Sequence, residues 1–161
     1  MPAVSVIIPS YNHARYIGQA IQSVLDQSLR DLELIVIDDG SRDDSLKVIE
    51  RFHDPRMIVK SQSNMGAHAA INAGIERAQS NVLAILNSDD RYHPQRLEKL
   101  IELLHNTPQA GLAASYLEVI DANGRVAGVK HGYKNMPPWE IADPSRSCRA
   151  GDNLKHALLA E

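Results

Sequence analysis

Four short apolar runs alternate with amphipathic segments between residues 4 and 105. The runs at 4–8, 32–37, 57–59 and 82–86 are rich in β-branched residues and end at turn-forming residues, which predicts strands. The segments between them place apolar residues at the three-and-four spacing that lines one face of a helix. A repeated strand-helix order requires right-handed crossovers. It therefore predicts an α/β fold: a Rossmann-like, doubly wound, mostly parallel sheet with helices on both faces.

Composition narrows the classes of function. With 17 Lys and Arg against 20 Asp and Glu, the chain has a net charge of -3 and no overall positive field, so we expect no nucleic-acid partner. Cys148 is the single cysteine, which argues against a disulfide framework or a thiolate metal cluster. No apolar run approaches the roughly 18 residues of a membrane span, and residues 1–4 lack the pattern of a signal peptide. We expect a cytoplasmic protein.

Local patterns add further expectations. Ser41 and Asp44 have the spacing of a capping box, which predicts that the second helix begins there. Beyond residue 110 the alternation ends, and we expect a strand at 112–120 followed by a hairpin turn and a partner strand at 125–129. A last short helix is predicted at 154–159.

Acidic residues gather where the predicted strands end. Asp38-Asp39 and Asp89-Asp90 follow the second and fourth strands, and ligands of doubly wound sheets bind at this edge. Four carboxylates there would repel one another unless a cation or hydrogen-bond donors lay between them. Mg2+ or Mn2+ suits such oxygen ligands and is often held together with the phosphates of a substrate. The alternative is that these acids cap the following helices and interact with the helix dipoles.

Several nucleotide-binding and catalytic motifs are absent from the sequence. The strand-to-helix turns contain neither G-x-G-x-x-G nor G-x-x-x-x-G-K-S, so the dehydrogenase and kinase interpretations are not supported. There is no G-x-S-x-G elbow, and no two histidines stand at the spacing of a helical zinc site. We therefore expect His13, His68 and His131 to be surface residues rather than metal ligands.

Four sequence blocks together form a specific pattern. They are Val4 to Asn12, Ile35 to Ser41, Asn64 to Gly66 with Asn72 to Gly74, and Leu86 to Asp90. In order and spacing, the blocks resemble the family-two inverting glycosyltransferases of the GT-A fold, over about residues 3–105. The resemblance implies a nucleotide-sugar (donor) subdomain at 1–108 and the start of an acceptor subdomain, incomplete here, at 109–161.

The resemblance also implies roles for individual residues of a nucleotide site. The donor would most often be a UDP-sugar, with Tyr11, close to Pro9, stacking on the base. Asp39 would accept a hydrogen bond from the base imide, and the turn that contains Asn64 and Gly66 would help to hold the nucleotide. Judged from the residues alone, Tyr11 could instead be a packing residue and Gly66 the left-handed turn residue before a helix.

Asp89 and Asp90 stand where the family has its D-x-D motif. One of them would bind Mg2+ or Mn2+ that bridges the donor diphosphate, while the other would reach the ribose or the water shell of the metal. Asp89 is therefore expected in both the nucleotide site and the metal site, and Asp90 in the metal site. Asn87 replaces the first acid of the motif, and Ile71 stands where many relatives have Arg. Asn87 leaves fewer anionic ligands for the metal, and Ile71 removes one expected polar contact.

The activity implied by the resemblance is metal-assisted transfer of a sugar, with inversion, to a hydroxyl of a glycan, lipid-linked or other acceptor. Such a transfer needs a general base, and neither Asp152 nor Glu161 carries a motif that identifies it. The chain therefore resembles the donor-binding part of a bacterial-like enzyme with the acceptor part cut short, which allows peripheral association with the inner face of the membrane. The alternative is a non-catalytic nucleotide-sugar binding module or an inactive fragment.

Overall fold

The structure is a computed structural model that describes residues 1–121, 124–130 and 148–150. Its elements, in chain order, are β1 (Val4–Ser10), α1 (Ile17–Leu25), β2 (Leu32–Asp38), α2 (Ser45–Ile49), β3 (Met57–Ser61), α3 (Ala67–Ile75), β4 (Leu83–Ile85), α4 (Arg96–His105), β5 (Ala113–Ser115), β6 (Leu117–Ile120), β7 (Val126–Lys130) and β8 (Cys148–Ala150). The chain forms two compact units, Met1–Leu97 and Glu98–Glu161. Across the described residues, no helix combines the length and apolar character needed to cross a bilayer.

The first unit is built on a four-stranded sheet with the order β3-β2-β1-β4. All its strands are parallel: β1 pairs with β2 from Val4↔Leu32 to Ser10↔Asp38, and with β4 from Ser5↔Leu83 to Ile7↔Ile85. Every residue of β1 and β2 is buried, as expected for the central strands of a parallel sheet covered on both faces. The predicted strands and their parallel arrangement are confirmed.

Helix α3 lies very close to the sheet because its contact face is made of small residues. Ala70 joins Ile7, Ile35 and Ile37 in a buried cluster. A Cβ atom added at Gly74 would lie only 2.5 Å from Cγ2 of Ile7. The glycine is therefore required by the close approach of the helix to β1.

We expect Gly74→Ala to lower the free energy of unfolding by about 1–3 kcal/mol, because a buried overlap forces the helix or Ile7 to shift. Helix propensity alone would favour the alanine, so a loss of stability isolates the packing effect. Urea unfolding of the two proteins measures the difference. Gly111→Ala is the matched control, since an added Cβ there has no neighbour within 4 Å. Equal stability of the Gly74 variant and the wild type would contradict the close packing.

The second helix begins later than the capping box predicts. Helix α2 spans Ser45–Ile49, and its N-cap is Asp44, whose side chain makes no capping hydrogen bond. Ser41 Oγ instead accepts a hydrogen bond from the backbone N–H of Asn12 at 3.0 Å. The capping-box prediction is wrong because Ser41 bonds to the loop after β1 rather than to the N-terminus of its own helix.

The second unit contains the predicted hairpin. Strands β6 and β7 are antiparallel, and Gly124, with a φ of 78°, donates its N–H to the Asp121 carbonyl at 2.9 Å. The single strand expected at 112–120 is wrong: it is divided into β5, which pairs with β8, and β6, which pairs with β7. The division follows from these two separate partners. The helix predicted at 154–159 lies outside the described residues.

Candidate functional site

The candidate site lies where the strand order of the first unit reverses. Strand β1 has β2 on one side and β4 on the other, so the chain moves outward through β2 and β3 and then returns to the far side of β1. In open α/β sheets, ligands bind outside the carboxyl ends of the strands at such a reversal. The loops after β1 and β4 flank it, and the loops after β2 and β3 lie at the same edge of the sheet. All the predicted nucleotide and metal residues lie in these loops or at the end of β1.

The loop after β1 presents Tyr11 at the surface. Pro9 and Ser10 end the buried strand, and Tyr11, the next residue, is 40% exposed. Asn12 has a φ of 53°, a left-handed conformation that Asn tolerates better than most residues. Its side-chain carbonyl accepts a hydrogen bond from Arg42 N at 2.8 Å, and its own N–H bonds to Ser41 Oγ. The loop is thus held against the loop after β2, with the tyrosine ring accessible for stacking.

Asp39 is buried and fully engaged with the loop after β3. Asp39 is only 2% exposed. Oδ1 accepts hydrogen bonds from Gln62 Nε2 at 2.8 Å and from Met65 N at 3.0 Å, and Oδ2 accepts one from Gly66 N at 2.8 Å. Since a carboxylate has about four acceptor positions, few remain for another donor. Asp39 therefore shapes the turn that begins α3, whose N-cap is Gly66 with a φ of 91°.

These hydrogen bonds also set the protonation state of Asp39. Burial raises the pKa of the carboxyl, but the bonds from Gln62, Met65 and Gly66, together with the nearby His68, outweigh it and lower the pKa below its usual value. His68 is exposed, as predicted. The repulsion that we predicted among four carboxylates is thus relieved at Asp39 by hydrogen-bond donors. No local sequence signal identifies these donors, because they lie more than 20 residues away.

Asp38 and Gly40 join the loops after β2 and β3. Oδ2 of the buried Asp38 accepts hydrogen bonds from Ser61 Oγ at 3.1 Å and Ser41 N at 3.3 Å. Gly40 has a φ of 73°, and a Cβ there would lie 2.9 Å from the backbone nitrogen of Asn64. Positive φ and close backbone contact both require glycine at this position. The arrangement fixes the turn that carries Asn64, which is exposed at the surface.

The loop after β4 exposes two carboxylates. Asp89 and Asp90 are both exposed, and Asn87 spans the turn: its carbonyl accepts from Asp90 N at 3.1 Å and its Nδ2 donates to Asp90 Oδ2 at 3.2 Å. Within the described ranges, no three His, Cys, Asp or Glu side chains gather as a metal site. Two carboxylates still fit Mg2+ or Mn2+, since such ions are commonly held by one or two carboxylates together with substrate phosphates.

His13 links the loop after β1 to the loop after β4 and to the start of α2. Its Nδ1 lies 2.6 Å from Oγ of Ser88, in the loop after β4, and its backbone N–H donates to Ser45 Oγ, at the start of α2, at 2.9 Å. The ring meets that of Tyr16 edge-on, with centroids 6.3 Å apart. His13 is half-buried rather than the surface residue that we predicted. The contact between His13 and Ser88 could not be predicted from the sequence, because the two residues are 75 positions apart.

Three of the residues considered from the sequence lie outside the described residues: His131, Asp152 and Glu161.

Comparison with known proteins gives a match over nearly the whole chain. Residues 5–157 match the model of Glycosyl transferase family 2. An uncharacterised glycosyltransferase of Nostoc sp. is 38% identical over 125 residues, which cover 76% of this chain and 38% of that protein. The chain spans about two fifths of the length of several curated relatives that it matches.

Two solved structures share the fold. S. aureus TarS in complex with UDP-GlcNAc superposes with a TM-score of 0.64 at 24% identity, covering 78% of this chain and 36% of that one. A mannosyltransferase from Pyrobaculum calidifontis in complex with GDP-Man and Mn2+ gives 0.65 at 24% identity, covering 73% and 36%. Both likenesses concern the fold, and they confirm the predicted GT-A architecture.

Proposed function

The chain belongs to glycosyl transferase family 2, and on that basis we propose that its first unit binds a nucleotide-diphosphate sugar for transfer to an acceptor hydroxyl with inversion. The observation that carries the proposal is the pairing of an exposed aromatic ring, Tyr11, with two exposed carboxylates, Asp89 and Asp90, across the reversal point of the sheet. A ring can pack on a base, and carboxylates can hold a cation that neutralises a diphosphate. The two features suit opposite ends of one nucleotide.

We assign the nucleotide contacts to the loops at the carboxyl ends of the strands. Tyr11, supported by Pro9, stacks on the base, and the turn formed by Asn64 and Gly66 borders it. Asp39 contributes mainly by holding this turn through Met65 and Gly66. Both oxygens of Asp39 already accept two hydrogen bonds, so a direct bond to a base imide displaces one of these donors, such as the amide of Gln62. The UDP-GlcNAc and GDP-Man in the structures of similar fold make uridine and guanosine nucleotides the first donors to test.

Asp89 and Asp90 would hold Mg2+ or Mn2+ in this proposal. Asp90 binds the cation, and Asp89 binds it or reaches the ribose. When bound, the cation offsets the negative charge that develops on the departing diphosphate. Asn87 donates a hydrogen bond to one oxygen of Asp90, so it orients that carboxylate while supplying no charge. The Mn2+ in the Pyrobaculum structure supports a divalent ion for this fold.

We further propose that residues 1–108 form the donor subdomain and that 109–161 begin the acceptor subdomain. The acceptor is a hydroxyl of a glycan, a lipid-linked molecule or another compound. A second candidate function is a non-catalytic nucleotide-sugar binding module, and Asn87 in place of an acid favours it. Hydrolysis of the donor, or transfer to an acceptor, separates the two, because a binding module performs neither.

Titration calorimetry tests the site directly. UDP, GDP and dTDP are each titrated with and without Mn2+, and we expect at least one to bind with an affinity that Mn2+ raises. A direct bond from the base to Asp39 favours UDP or dTDP, since uracil and thymine present the same imide donor, and it does not exclude GDP. Failure of all three to show metal-dependent binding would overturn the donor-site assignment.

A further inference from the structure

We propose that His13 is a positioning residue: through the hydrogen bond between its Nδ1 and Ser88 Oγ, it holds the carboxylates of Asp89 and Asp90 where they bind the cation. The inference rests on the proposed function, because it requires that these two acids bind a metal. It adds to that proposal a residue that belongs to a different loop from the metal ligands, on the other side of the reversal point.

The backbone of His13 is anchored to the body of the first unit. Its N–H donates to Ser45 Oγ at the start of α2, and its carbonyl accepts hydrogen bonds at 2.9 Å from both Tyr16 N and Ile17 N at the start of α1. Two helices therefore fix the point from which the imidazole extends. The ring of Tyr16 lies edge-on to the imidazole.

Ser88, the partner of His13, lies in the loop after β4, which carries the proposed metal ligands. Ser88 is 3% exposed and immediately precedes Asp89. The hydrogen bonds between Asn87 and Asp90 are internal to the turn, so they define its shape but not its position relative to the loop after β1. The bond from Leu86 N to the Ile7 carbonyl, at 3.0 Å, ties the start of the loop to β1. The His13–Ser88 bond adds a side-chain link across the reversal point, next to Asp89.

A rigid support matters here because the protein offers few ligands of its own. Two exposed carboxylates hold a cation well only if both are already in place, since ordering a mobile loop costs conformational entropy. Groups that orient metal ligands without touching the metal typically change its affinity by about 10- to 100-fold when removed. We expect an effect of this size from the loss of the His13–Ser88 bond.

Three replacements of His13 separate this bond from general packing. The amide of asparagine can place a polar atom near the position of Nδ1, that of glutamine reaches the position of Nε2, and leucine has neither. We expect His13→Leu and His13→Gln to weaken Mn2+-dependent UDP binding by about 10- to 100-fold, and His13→Asn to restore most of it. UDP binding without metal should change little in all three, because Tyr11 and the turn at Asn64 are untouched.

Ser88→Ala provides an independent test of the same bond if a His13 variant fails to fold. It should reproduce the loss seen with His13→Leu, and the double variant should show no additional loss, since both changes remove the same bond. His53→Leu is the matched control: His53 is exposed in the loop before β3, and its replacement should leave metal-dependent binding unchanged.

The possible results test the proposed function and the positioning role of His13 separately. Absence of metal-dependent binding in the wild type overturns the proposed function, and this inference falls with it. Normal metal-dependent binding by His13→Leu or Ser88→Ala in the presence of a binding wild type overturns the positioning role alone. Loss of metal-free and metal-dependent binding together, or no rescue by asparagine, would mean that His13 serves packing, which also overturns it.

Discussion

Asp90→Ala is expected to abolish the Mn2+-dependent part of nucleotide binding while leaving the fold intact. Asp90 is exposed, and its described side-chain contact is with Asn87, so little of the core depends on it. A cation held by two protein carboxylates loses half of its anionic protein ligands with this change. Since removal of a supporting group already costs about 10- to 100-fold in affinity, we expect loss of a direct ligand to exceed that range. Mn2+ titration at saturating UDP measures it.

Asp44→Ala is the matched control for this experiment. Asp44 is also an exposed acid, but its partner is Lys47 at 2.7 Å on α2, and surface pairs of this kind contribute little to stability. Metal-dependent binding should survive this change. Undiminished metal dependence in Asp90→Ala would assign the metal to Asp89 or remove it from this loop.

Asp39→Asn is expected to destabilise the first unit and weaken nucleotide binding together. The carboxylate accepts hydrogen bonds from Gln62, Met65 and Gly66, and an amide cannot accept on its nitrogen side. Loss of an acceptor costs at most about 1–3 kcal/mol here, because the N–H donors of Met65 and Gly66 are only partly buried. Urea unfolding should show this loss, and the affinity for UDP should fall because the turn before α3 is no longer held. Asp31→Asn, at an exposed acid, is the control.

Acid should reduce the difference between Asp39→Asn and the wild type. Hydrogen bonds hold the pKa of Asp39 below its usual value despite burial. A depressed native pKa means that the stabilisation is present above the unfolded-state pKa and is lost as the pH falls through the native pKa. Because asparagine does not titrate, the gap in unfolding free energy should narrow over that range. A gap that is constant down to the lowest pH at which the wild type folds would show that the charge of Asp39 is not what stabilises the turn.

The arrangement of the central sheet was predictable because it depends on local patterns. The β-branched runs of β1 and β2 are apolar at nearly every position, which only a strand covered on both faces requires. The small residues of α3 allow its close approach to the sheet, where Gly74 lies against Ile7. The order of the strand-end motifs also identified Tyr11, Asp39, Asp89 and Asp90 as the residues to consider.

The contacts of those residues could not be predicted in the same way. Ser41 has the spacing of a helix cap but bonds to Asn12, 29 residues away. Asp39 belongs to an acidic pair that suggested a cation, yet it is surrounded by N–H donors from the loop after β3. Local sequence propensities do not predict such bonds, because each bond joins two loops that meet only after the strands have paired.

Sequence alone determined the parallel α/β sheet and the strand-end placement of the polar residues, because hydrophobic periodicity and turn chemistry act over a few neighbouring positions. Tertiary structure alone decided what those residues contact: Asp39 holds a turn, and His13 reaches Ser88 across the reversal of strand order. The physical reason is that hydrogen bonds form between atoms within about 3 Å, and the folding of β1 beside β4 brings together groups that are 75 residues apart in the chain.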